Sequence, residues 1–167
     1  MSTLAPSTVK GKILFGAVGL VAIAALVVGA INGYRYWNDR QSEDARTEAV
    51  AAAGHAVTDM FTYTPENVDT VLQQSAQNLT ESFRDDYLKL VNQAIAPGAK
   101  EKQLTVQATV QAGGVIAADD ASATVMLFLN QVTTSKDSPQ GNTTASRVRV
   151  VLDKQDSHWL VDSVTPI

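Results

Sequence analysis

The sequence predicts an α+β protein in which one membrane-spanning helix precedes three helices and a four-stranded antiparallel meander. Three observations carry this reading. Residues 13–31 form an unbroken apolar run; from there to about Pro97 apolar residues recur at helical spacing; beyond Lys100 they alternate with polar ones, the period of strands. Helices first and strands second, in one chain of 167 residues, is the order of an α+β domain with its helices gathered on one sheet face.

The apolar run reads ILFGAVGLVAIAALVVGAI, nineteen residues without a charge, an amide or a proline. At 1.5 Å per residue it makes a helix of roughly 28 Å, the thickness of a bilayer core. A cleaved signal peptide is the rival: Lys10 and Lys12 supply a basic start, and Val28-Gly29-Ala30 has the small-residue spacing of a cleavage site. The flank favours a retained anchor, because Gly33, Tyr34, Tyr36 and Trp37 follow at once, and aromatic rings with a polar edge suit the headgroup layer. The layout is then a tail at 1–12, a transmembrane helix at 13–33, a juxtamembrane helix at 34–60 and a domain at 61–167.

The tail is basic and acid-free, whereas residues 32–167 hold 11 basic and all 17 acidic side chains, a formal balance of −6. Arg35, Arg40 and Arg46 after the run weaken a pure charge count. Short tails commonly stay inside while long domains translocate regardless of charge, so the expected topology is a plasma-membrane protein with a cytoplasmic N-terminus and an extracytoplasmic domain. An acidic domain also argues against nucleic acid, which requires a basic face. Cysteine is absent, which removes disulfides, thiolate chemistry and a lipoprotein anchor.

From Asn38 to Met60 a helix carries Ala45, Ala49, Ala52, Ala53, Ala56, Val57 and Met60 on one shallow face, suited to packing on a sheet. Thr64-Pro65-Glu66 opens a second helix with Val68, Val71, Leu72, Ala76 and Leu79 on its stripe. Asn78 or Thr80 caps a third, carrying Phe83, Tyr87, Leu90, Val91, Ala94 and Ile95, with Pro97-Gly98 as its expected end. Met60 to Tyr63 is a short link with apolar anchors.

In the strand region the expected core positions are Leu104, Val106, Ala108, Val110 and Ala112; then Val125, Leu127 and Leu129; then Val148, Val150 and Leu152. Turns are expected at Ala118-Asp119-Asp120, over Ser135 to Asn142, and over Asp153 to Ser157. Trp159 is expected in the core.

Taken in order, an F-x-Y segment (Phe61, Tyr63), an F-R-D-x-Y helix (Phe83, Arg84, Asp85, Tyr87), a VMLFLNQ strand and a final S-R-V-R-V…W-L-V-D-S-V hairpin (Ser146 to Val164) resemble the mycobacterial Mce-associated membrane proteins. The resemblance covers the layout of the whole chain, and its most specific part is the final hairpin. It implies a cystatin-like, ketosteroid-isomerase-like cone domain, similar also to the periplasmic domain of type IV secretion assembly components. It implies as well an accessory role beside Mce lipid or sterol importers, with permease and Mce subunits as partners.

No constellation for catalysis, metal or cofactor stands out. His55 lies in the juxtamembrane helix and His158 at a turn, each explained by surface or packing, and no HExxH, paired-acid strand or phosphate loop is present. Asp119-Asp120 is a hairpin turn before it is a calcium pair. The chain is therefore expected to be no enzyme, with neither metal nor cofactor. Three features point to contacts. Ala22, Ala25, Gly29 and Gly33 form a small-residue stripe that would let another membrane helix approach. Tyr34, Tyr36 and Trp37 would anchor the interface. Arg147 and Arg149 share a sheet face, either paired with the domain's own carboxylates or free to hold an acidic partner or lipid headgroup. The expected function is a non-catalytic subunit of an Mce-type importer; the alternatives are a domain that binds a lipid or sterol, and a scaffold of a secretion-type machine.

Overall fold

The alternation beyond Lys100 becomes one sheet in the computed structural model, which describes residues 43–167. Strands β1 (Thr105–Ala118), β2 (Ser122–Thr134), β3 (Asn142–Gln155) and β4 (His158–Pro166) pair antiparallel in the order β1-β2-β3-β4, the expected meander. Preceding them are α1, helical over residues 43–60, then α2 (Val68–Ser75), a 3-10 turn (Ala76–Asn78), α3 (Glu81–Leu90), a π turn (Val91–Ile95) and α4 (Ala96–Lys102). The expected span at 13–33 lies outside the described residues, as do Ala22, Ala25, Gly29, Gly33, Tyr34, Tyr36 and Trp37; among the described residues no helix is long and apolar enough to cross a membrane.

The small face of α1 packs on the sheet as its composition requires. Ala45, Ala49, Ala53, Ala56, Val57 and Met60 are buried in one cluster with Val125, Leu127, Leu129, Val148, Val150 and Leu152. The helix comes close enough that a Cβ at Gly113 would meet Val50 of α1 at 3.2 Å, and the end of the Leu127 side chain on β2 at 2.7 Å would have to shift. Trp159 joins this core at 9% exposure, and its indole N–H donates to Glu48 at 3.3 Å while Lys154 lies 5.1 Å over its ring. Lys154 also pairs with Glu48 at 3.1 Å, so one carboxylate ties α1 to the β3–β4 hairpin.

Four expectations are corrected. Ala112 faces away from the core, because a bulge between Val110 and Ala112 adds a residue and hands the inward position to Gly113, opposite Leu127. Pro97-Gly98 does not end the third helical stretch. The π turn closes with Ala96 N–H donating to the Val91 carbonyl, and Pro97 then falls in the first turn of α4, where its missing N–H leaves no bond unmade. The stretch stops instead at Gln103, in the left-handed region at φ 53, with Leu104 N–H donating to Ala99 at 2.8 Å. The π turn also shifts the helical phase, so Ala94 is exposed while Ala96 and Ala99 are buried; Leu90, the last residue of α3, is 54% exposed as well. The last hairpin turn is tighter than the expected five residues: Gln155 pairs with His158, and only Asp156 and Ser157, at φ 47 and 67, make the turn.

Candidate functional site

The F-R-D-x-Y residues build a corner between α2, α3 and β4. Thr80 is the cap of α3, its hydroxyl accepting from Phe83 N–H at 3.4 Å and donating to Asp162 at 3.1 Å on β4. Thr80 N–H donates to the Val161 carbonyl at 2.9 Å, which fastens the same corner to the sheet through the backbone. Arg84 reaches back from α3 with Nε donating to the Ala76 carbonyl at 2.9 Å, which Leu79 N–H also reaches, and Nη2 to the Leu79 carbonyl at 3.1 Å just past the 3-10 turn. Tyr87 is buried, 3.0 Å from Ser75 Oγ. Because Ser75 spends its one proton on the Leu72 carbonyl at 2.9 Å, Tyr87 is the donor of that pair. Burial pushes the Tyr87 phenol up to about 12, so it stays a neutral donor.

Beside this corner a half-open cleft of about 330 Å³ runs between the end of α1, α3, the π turn and the end of β4. Its walls are Met60, Phe61 and Tyr63, then Phe83, Asp86, Tyr87 and Leu90, then Ile95, and finally Val164 and Pro166. The segment read as a link with apolar anchors is therefore one wall. Tyr63 is held there by a two-way backbone pair with Val106 at 2.9 Å each way, and burial raises its phenol above the usual tyrosine value. Nothing in the local pattern at 60–63 tells that these side chains share a space with Val164, a hundred residues on; only their apolar character was visible.

Arg147 and Arg149 lie on the outer sheet face, both exposed, opposite Phe128 and Met126 on β2. Among the described residues no carboxylate lies within 4 Å of either guanidinium, so the pairing with the domain's own acids is not formed. Phe128 next to them is 46% exposed. His55 and His158 are both exposed, on α1 and at the start of β4, and His158 Nδ1 is 2.9 Å from the Asp156 carbonyl. Asp119 accepts from Ala121 N–H at 2.9 Å and Ser122 N–H at 2.7 Å; these bonds hold its carboxyl below the usual range and make it a turn residue. Among the described residues no three His, Asp or Glu side chains gather as a metal set.

No family model matches the chain. It is 37% identical over 155 residues to the protein called Outer membrane protein Rv1973 of Mycobacterium tuberculosis, covering 90% of this chain and 96% of the relative. Among solved structures, the periplasmic domain of DotI matches with a TM-score of 0.60 at 18% identity, over 71% of this chain and 91% of that one. CagV of Helicobacter pylori, described as a VirB8 homolog of a type IV secretion system, matches with 0.58 at 14%, over 72% and 96%. A nuclear transport factor 2-like protein of Salmonella enterica matches with 0.51 at 9%, over 72% and 91%, and agrees with the cone-type arrangement of helices on a curved sheet.

Proposed function

The chain belongs to the family of the mycobacterial Outer membrane protein Rv1973, and from that premise we propose that it is a non-catalytic accessory subunit of a cell-envelope complex, an Mce-type lipid or sterol importer, acting by contact. The observation that supports an envelope complex is the fold of residues 43–167, which is the fold of the DotI periplasmic domain and of CagV, a VirB8 homolog of a type IV secretion system; the Mce-type assignment rests on the sequence resemblance. At 14–18% identity that likeness concerns the fold, and it supports a domain that presents surfaces to neighbours outside the cytoplasm.

The apolar run at 13–31 anchors the chain in this reading, with the tail inside and the domain outside. The name of the mycobacterial relative refers to an outer membrane, whereas a single apolar helix suits the plasma membrane, and separating the two membranes by density decides between them. In this reading the chain acts by stabilising the importer subunits it contacts. Deleting the gene should lower the steady-state level of permease and Mce subunits and the uptake of a labelled lipid or sterol. Unchanged subunit levels together with unchanged uptake would refute the proposal. The CagV likeness favours a second reading, a scaffold of a secretion-type machine, for which deletion would impair secretion and spare uptake.

A further inference from the structure

A cleft walled mainly by rings and aliphatic side chains selects its occupant by apolar shape. Four rings face the cleft described above, those of Phe61, Tyr63, Phe83 and Tyr87, together with Leu90 and Ile95. The Tyr87 hydroxyl is spent on Ser75, and Ser75 on the Leu72 carbonyl. At the mouth the Asp86 carboxylate is held by Lys89 at 3.1 Å. Among the lining residues the Tyr63 hydroxyl forms no hydrogen bond; over the rest of the walls a polar molecule would give up water for apolar surface, whereas hydrocarbon gives up nothing.

Size narrows the class further. The cavity holds about 330 Å³, near the lower end of ligand sites. Allowing each carbon roughly the 30 Å³ share of a liquid water, that is room for about ten carbons of a chain, the remainder lying outside the half-open mouth. Leu90, at 54% exposure, stands where a chain leaving the cavity would cover it. The wall beyond it is the π turn at Val91–Ile95, an irregularity that recurs at functional sites.

We infer that this cleft binds a single hydrocarbon chain, the tail of a one-chain amphiphile or of a membrane lipid. The inference stands on the cavity alone and does not rest on the importer reading.

The test uses the full chain in phosphatidylcholine nanodiscs and two photoreactive probes, dodecanoic acid with a mid-chain diazirine, and phosphatidylcholine carrying the same group in one tail. Adducts should map to peptides containing Phe61–Tyr63, Phe83–Leu90 and Val164–Pro166, and excess unlabelled dodecanoate should compete them away. Leu90→Trp closes the mouth from an already exposed position and should cut the adduct yield about tenfold, and Leu90→Glu, which adds a charge without bulk, should cut it likewise. Labelling by the fatty acid alone assigns a free amphiphile, and labelling by the phospholipid assigns a tail drawn from the bilayer; both support the site. Absence of adducts in the three peptides, or adducts insensitive to the competitor and to both variants, overturns it.

Discussion

Arg84 makes the clearest wager about how the domain holds together. Its guanidinium forms two hydrogen bonds to main-chain carbonyls, to Ala76 at 2.9 Å and to Leu79 at 3.1 Å. Bonds from a charged donor contribute about 1.5–3 kcal/mol each when their loss strands a buried partner. Here the side chain is half-buried, and the Ala76 carbonyl keeps a second donor, Leu79 N–H at 3.3 Å, so the lower end applies. Arg84→Ala should therefore cost about 2–3 kcal/mol in all, which for a urea dependence of about 1–3 kcal/mol per M moves the midpoint down by roughly 0.7–3 M. Arg84→Lys keeps the charge but loses the planar fork, reaches one carbonyl rather than both, and should lose about half as much. Urea unfolding of the unit Ser42–Ile167, followed by far-UV circular dichroism, reads both. A loss below about 0.5 kcal/mol for Arg84→Ala, the range of an ordinary surface change, or a lysine variant as stable as the parent would refute the reasoning.

Further outcomes follow from the same contacts. Lys154 and the Trp159 indole hold the Glu48 carboxyl below its usual value, so the folded state binds fewer protons than the unfolded one near pH 4. The stability this supplies is complete above the ordinary glutamate pKa of about 4.3 and is lost as pH falls through the lowered folded value; the midpoint drop between pH 7 and pH 3 should be smaller in Glu48→Gln. His55 and His158 are exposed, and replacing both with Gln should leave stability and importer levels unchanged; lost function at normal abundance would point to chemistry instead. Protease added to intact spheroplasts should remove the domain beyond Trp37, and protection of the domain would reverse the topology.

What the sequence makes legible here depends on how local the cause is. The meander follows from period-two alternation around Val125–Leu129 and Val148–Leu152, where each inward residue meets the same helix face. The alternation misleads at Ala112 because a bulge is a property of two paired strands, and neither strand states it alone. Pro97-Gly98 carries a strong stop signal that fails because the preceding π turn makes Pro97 a first-turn residue, where proline is welcome. The F-R-D-x-Y residues were visible as a motif, but their work was not: Arg84 and Tyr87 act on carbonyls and a hydroxyl of α2 and its 3-10 turn. The cleft was least legible of all, since it is assembled from four separate segments whose apolar residues look like ordinary core. Alternation puts Arg147 and Arg149 on one face, opposite Phe128 and Met126, yet it does not tell that no carboxylate among the described residues meets them.

Membership of an envelope complex by direct contact can be read from affinity purification of the full chain out of mild detergent. Association between helices already in lipid depends on close packing, which the stripe Ala22, Ala25, Gly29 and Gly33 would permit. Importer permease and Mce subunits should co-purify with the parent and with Ile23→Leu, and their recovery should fall with Gly29→Leu, which adds bulk on the stripe while keeping the segment apolar. Absence of those subunits from the parent preparation would contradict the claim, and equal recovery with both variants would show that the contacts are made by the outer domain alone.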